Sequence, residues 1–197
     1  MQLCLAYSYG DGEDTSCENV VTSMERLLCG IEISNYASLN LRGIQSLNNA
    51  VGGVYVVAIE DIGEFVKGET YYLIDDAARD YIQRRDTTKF NSDALRRERQ
   101  LQFAKAFAKK AVEACLADFS TVTKLYNAAM DYTCTNITLS EFTYLASTVL
   151  ENKNINFDNI YVLEGEAVMG DRFMEVHLDA ENVLETVLEV FYTEVEE

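Results

Sequence analysis

Between Tyr81 and Gln100 the chain concentrates arginine: Tyr-Ile-Gln-Arg-Arg-Asp, a short polar loop, then Ser-Asp-Ala-Leu-Arg-Arg-Glu-Arg-Gln. The stretch from Arg79 to Lys110 holds 10 of the 16 Lys and Arg against four acids, a surplus of six cations in a chain of formal net charge −17, which leaves −23 on the rest. Cations gathered against the sign of the whole molecule suit an anionic ligand. A helix opening here could take Ser92 or Asp93 as N-cap. Unpaired N–H groups at a helix start normally favour Asp or Glu, and Arg96, Arg97 and Arg99 go against that preference. Backbone donors and bidentate guanidinium forks both match phosphate oxygens.

Along that helix Arg96, Arg99, Gln100, Phe103, Ala104 and Phe107 fall at i, i+3, i+4, i+7, i+8 and i+11 and share one face. The face passes from cationic to apolar, as a lipid with a phosphate head would require. The plainer reading stays open: Phe103 and Phe107 as core residues, and arginines paired with some of the many acids.

Other chemistries find less support. His177 is the only histidine, and between Val176 and Leu178 on an expected strand it reads as structural rather than as part of a nucleophilic triad. Neither a Walker A sequence nor GxGxxG occurs. Five cysteines, at 4, 17, 29, 115 and 134, form no CxxC pair and have no histidine at zinc spacing, so they read as buried thiols rather than as a metal site. Eleven acids after Leu163 face Arg172 alone among Lys and Arg, which argues against nucleic acid or an anionic membrane surface as a general partner. No apolar run reaches the length of a membrane span, the first residues lack the pattern of a signal peptide, and the chain as it stands reads as soluble.

These side chains need elements to hold them. The pattern predicts helices over Asn19–Leu28, Arg42–Ala50, from a cap at Asp75 or Asp76 to Gln83, from Ser92 or Asp93 to about Leu116, over Ser120–Tyr132 and over Leu139–Leu150. Thr138-Leu-Ser-Glu141 forms a capping box for the last of these. Strands are expected within Ile31–Leu39, at Val54–Ile59 and at Tyr71–Ile74. Asn159–Glu164 and Phe173–Leu178 read as a hairpin before a C-terminal helix within Leu178–Val195. With 48% hydrophobic residues, the 197-residue chain reads as a single domain, 1–197, of α/β class: a three-layer α-β-α sandwich with a central mixed sheet.

At these residues the chain resembles the LytR-CpsA-Psr family of bacterial cell-envelope proteins, also called cell envelope-related transcriptional attenuators. Leu3-Cys-Leu-Ala-Tyr-Ser-Tyr-Gly10 is similar to the family's INAAYAYG, and Asn49-Ala-Val-Gly-Gly-Val54 to its ALGGV. Asp75 to Arg85 resembles LDGEQALAYxRxR, and Asp93-Ala-Leu-Arg96-Arg-Glu-Arg99-Gln100 resembles DxGRxxRQ. Gln83 stands where the first arginine of YxRxR is expected, and Leu95 where a glycine precedes Arg96. The likeness covers about 3–150, with 151–197 as a hairpin and helix extension.

The resemblance implies transfer of a glycopolymer, such as teichoic acid or capsular polysaccharide, from a polyprenyl pyrophosphate carrier to a peptidoglycan acceptor. This would take place on the extracytoplasmic face of a bacterial membrane. It implies that Arg85, Arg96, Arg99 and Gln100 hold the pyrophosphate, with Arg84 and Asp93 in support and Phe103 and Phe107 lining a cleft for the lipid tail. It also implies that the chain starts part-way into the family's domain. Its early strands, an early arginine, a membrane helix and the acids that hold magnesium would then lie outside, leaving no cofactor or metal in this chain and an open sheet edge able to pair in a homodimer. A non-catalytic module holding the same polyprenyl phosphate or glycan is the alternative. A transcription factor is disfavoured by the acidic charge and the lack of a basic recognition helix.

Overall fold

The computed structural model describes residues 3–88, 92–152, 157, 160–171 and 174–193. They group into two compact units, one of residues 37–158 and one of residues 1–36 with 159–197.

In the first unit, β1 (Ala37–Leu39) leads to α2 (Gly43–Ala50), β2 (Val54–Val57), β3 (Thr70–Leu73), α3 (Asp76–Gln83), α4 (Ser92–Ala117), α5 (Ser120–Met130), β4 (Thr133–Thr135) and α6 (Leu139–Glu151). Alternation along β2 turns Val54 and Val56 inward and Tyr55 and Val57 outward. β2 pairs antiparallel with β3, Val54 opposite Leu73 and Val57 opposite Thr70. The inner side of this ribbon meets Phe65, Ala78, Tyr81 and Ile82, and Phe103 of α4. A second cluster joins Val51, Cys115, Val122 and Leu125, and Phe107 packs against both. One long helix thus ties the two cores together.

The other unit holds α1 (Asp14–Leu27), the hairpin β5 (Gly165–Met169) with β6 (Met174–Leu178), and α7 (Ala180–Phe191). Asp179 caps α7, its Oδ1 accepting from the N–H of Glu181 and Asn182.

The α/β class holds, while the strands pair differently from one central mixed sheet. Among the described residues they form three two-stranded antiparallel ribbons, β1–β4, β2–β3 and β5–β6. Beside β2 lies α4, whose Gln102 amide donates to the Val57 carbonyl at 2.8 Å, so a side chain takes that acceptor instead of a third strand. The strand expected within Ile31–Leu39 shrinks to Ala37–Leu39 because the preceding stretch is held by side chains of α1: the Ile33 N–H donates to Glu25 at 3.0 Å and the Tyr36 hydroxyl to Asp14 at 2.8 Å. The hairpin's first strand runs over Gly165–Met169 rather than Asn159–Glu164; Asn159 and Phe173 lie outside the described residues. His177 sits on β6 with its ring exposed, 3.4 Å from Glu175. Cys17 and Cys115 are buried as expected, whereas Cys29 is exposed and Cys134 half-buried, all four as free thiols.

Candidate functional site

The site grows from the end of α3 and the start of α4. A helix leaves its last carbonyls without intrahelical partners, and at α3 these are met by side chains from α4. Arg99 donates from Nη1 to the Tyr81 carbonyl at 2.9 Å and from Nη2 to the Arg84 carbonyl. Gln100 donates to the Ile82 carbonyl at 3.2 Å. Cationic and amide donors at a helix C-terminus also suit the sign of its dipole.

Arg99 is fully buried. Its Nε lies 3.2 Å from a carboxylate oxygen of Glu60, and the guanidinium stands 5.7 Å from the centre of the Tyr81 ring. Burial pulls the Arg99 pKa below its ordinary value, with the nearby Glu60 charge opposing. Burial raises that of Tyr81, whose hydroxyl donates to Gln102 at 2.6 Å. Arg99 is therefore a pillar beneath residues 81–85, and the atoms that would grip a phosphate are already engaged with protein.

The remaining arginines stay nearer water. Asp93, in the first turn of α4, gathers three of them: Arg96 at 2.6 Å, Arg97 at 3.5 Å and Arg85 at 4.0 Å. Arg85 is held further by a 3.0 Å hydrogen bond from Nε to the Ser92 hydroxyl. Three guanidinium groups around one carboxylate leave a local surplus of positive charge. The Arg96 Nε is buried without an acceptor among the described residues. Arg84 turns instead to Asp80, at 3.1 Å, and lies against Gly63, where an added Cβ would collide with its guanidinium.

Two sequence expectations change here. Ser92 and Asp93 lie inside α4 and hold arginines rather than capping it, and the position before Ser92 lies outside the described residues. The arginines accordingly fall in the second turn, while the first carries Asp93, so the usual charge preference of a helix start is kept.

One turn beyond Arg96, Gln100 lines a cleft of about 440 Å3. Phe103, Ala104 and Phe107 of α4 form one wall, Leu39 and Leu41 another, and Ile44 and Leu47 of α2 with Ile82 of α3 complete it. The rings of Phe103 and Phe107 stack at 6.3 Å. These two residues line the cleft and pack against the core at once.

The structure thus assembles Arg85, Arg96 and Asp93 at the surface with Arg97, and places Gln100, Phe103 and Phe107 on the cleft. It puts Arg84 to one side and Arg99 inside. Glu60 and the aliphatic wall were missed in the sequence; one acid among 33 after an apolar strand carries no mark of its role. For magnesium the donor set does not fit: among the described residues no three acids, histidines or cysteines converge, and Asp80 and Asp93 are engaged by arginines.

The chain belongs to the LytR_cpsA_psr family, which it matches over residues 1–188. It is similar in fold to a transcriptional regulator from Enterococcus faecalis, at 22% identity and TM-score 0.74, covering 95% of this chain and 67% of that one. It is similar also to TagV of B. subtilis, at 21% and 0.70, covering 98% and 75%, and to TagT bound to LI-WTA, at 20% and 0.67, covering 95% and 69%. The chain spans about two thirds to three quarters of the length of these structures. Curated proteins gave no match. Among the described residues no helix is long and apolar enough to cross a membrane.

Proposed function

We propose that this chain is part of a cell-envelope glycopolymer phosphotransferase that takes a polyprenyl pyrophosphate-linked glycan as donor and peptidoglycan as acceptor. The observation that carries the reading is the succession along α4 of an arginine cluster and, starting one turn beyond Arg96, an apolar cleft. An isoprenoid chain would lie against Leu41, Leu47 and Phe107, where its apolar surface leaves water at roughly 25 cal/mol per Å2. The pyrophosphate would meet Arg85 and Arg96 with Arg97 beside them, while Arg99 and Gln100 keep residues 81–85 in place.

In the transfer an acceptor hydroxyl attacks the glycan-bearing phosphorus, the bond to the carrier's phosphate breaks, and the hydroxyl proton passes to solvent or base. Guanidinium groups fixed in advance stabilise charge on the phosphoryl oxygens as this happens. TagT, a relative in fold, is seen bound to LI-WTA, which supports a glycopolymer ligand here.

Calorimetric titration with a short polyprenyl pyrophosphate, with and without magnesium, tests the reading. Arg85→Ala/Arg96→Ala should weaken binding about tenfold or more, since a charged hydrogen bond is worth about 1.5–3 kcal/mol. Leu47→Asp should weaken the lipid ligand while leaving inorganic pyrophosphate unchanged. Binding indifferent to both variants would sink the proposal. Binding without transfer of glycan to peptidoglycan would favour the non-catalytic module.

A further inference from the structure

On another face of α4, turned roughly a third of the way round the helix from the cleft, a second groove of about 460 Å3 lies between the helix and the β2–β3 ribbon. Its helix side presents Lys109 and Lys110, both exposed. Among the described residues neither makes an ion pair, in a chain where acids outnumber Lys and Arg 33 to 16. Glu113 shares the groove one turn on and leaves it net positive.

The ribbon side presents Tyr55 and Tyr72, directly opposite each other across the strands. Their ring centres are 4.8 Å apart at 31°, and the residues are 68% and 45% exposed. The Tyr72 side of this ledge is fixed in advance. The Tyr72 hydroxyl donates to the Gly52 carbonyl at 2.6 Å. Gly53, at φ +77°, lets the ring lie against the turn, since a Cβ there would sit 2.8 Å from the ring edge.

We infer that this groove is a binding site for an anionic saccharide, a pyranose bearing a phosphate or carboxylate. A sugar ring offers an apolar C–H face that lies flat on an aromatic ring, its hydroxyls staying in water, and the two ammonium groups then meet the charged substituent. The Tyr72 ring, held by a hydrogen bond and a turn, loses little freedom on binding. The site shares no lining residue with the arginine cluster or the apolar cleft.

The test is an amide-resolved NMR titration of the whole chain with N-acetylglucosamine 1-phosphate, beside neutral N-acetylglucosamine, inorganic phosphate and adenosine monophosphate. The phosphosugar is expected to shift the amides of Gly52, Gly53, Lys109 and Lys110 saturably, and more tightly than any of the other three. Lys109→Gln/Lys110→Gln, on an exposed helix face, should weaken it roughly tenfold, and Tyr55→Ala roughly fivefold. Arg96→Ala should leave these shifts unchanged. The assignment fails if these amides do not respond, if the lysine pair can be replaced without effect, if Arg96→Ala removes the response, or if inorganic phosphate or the nucleotide binds equally well.

Discussion

Arg96 and Arg99 lie three residues apart in one motif, yet their surroundings give them opposite roles. Arg99→Met would remove the buried cation beside Glu60 and the donors to the Tyr81 and Arg84 carbonyls. Breaking a buried pair in this way costs about 3–5 kcal/mol. Arg96, with about a third of its side chain exposed and Asp93 as partner, should change stability by under about 1 kcal/mol when replaced by Ala. Urea denaturation of the two variants separates the roles: Arg99→Met shifts the midpoint strongly, while Arg96→Ala leaves it near the parent and weakens pyrophosphate binding. Equal midpoints would show that burial of Arg99 contributes nothing to the fold.

Element ends show what can and cannot be read from sequence. The capping box of α6 depends on four consecutive residues, so it was legible: Glu141 N–H donates to Thr138 Oγ1 at 3.3 Å, and Thr138 N–H to Glu141 at 2.8 Å. Thr138→Ala should lower stability by about 1 kcal/mol in thermal denaturation. The end of α3 was not legible in the same way, because its partners arrive from 18 and 15 residues further along the chain. Arg99 follows the helical spacing of Arg96, and periodicity alone cannot tell which of two arginines meets a neighbouring helix end and which meets water. Most helix spans were predicted well since apolar spacing is local, although α1 begins at Asp14 rather than Asn19, whereas the pairing of short strands depends on distant segments such as α4 over the Val57 carbonyl.

The start of α5 adds a pH signature. Asp118 is held down to about 2, chiefly by the Ser120 hydroxyl at 2.7 Å and then by Lys124 at 3.0 Å. A carboxyl depressed by folding stabilises above its ordinary value of 3.8, and that contribution is lost as pH falls toward 2. The Tm difference between the parent chain and Asp118→Asn should therefore be constant above that value and shrink below it. A difference that stayed constant down to pH 2 would contradict the assignment.

At the scale of the whole molecule, charge and connectivity agree on where function is concentrated. The cationic segment stands out against −23 elsewhere, so an anion is drawn to one region and repelled from most others. Glu60, the arginines, the apolar cleft and the tyrosine–lysine groove all fall within residues 37–158. That stretch is continuous, and β1, its first element, is laced to β4 near its end, Ala37 opposite Thr135 and Leu39 opposite Thr133. The ladder acts as a clasp on a stretch that could be cut from the gene in one piece. Expressed alone, residues 37–158 should give a dispersed amide spectrum and retain the parent's affinity for inorganic pyrophosphate within about threefold. A collapsed spectrum would show that the clasp needs the flanking segments to close. A folded fragment would carry both grooves in a minimal protein, small enough for every contact proposed here to be followed atom by atom in solution.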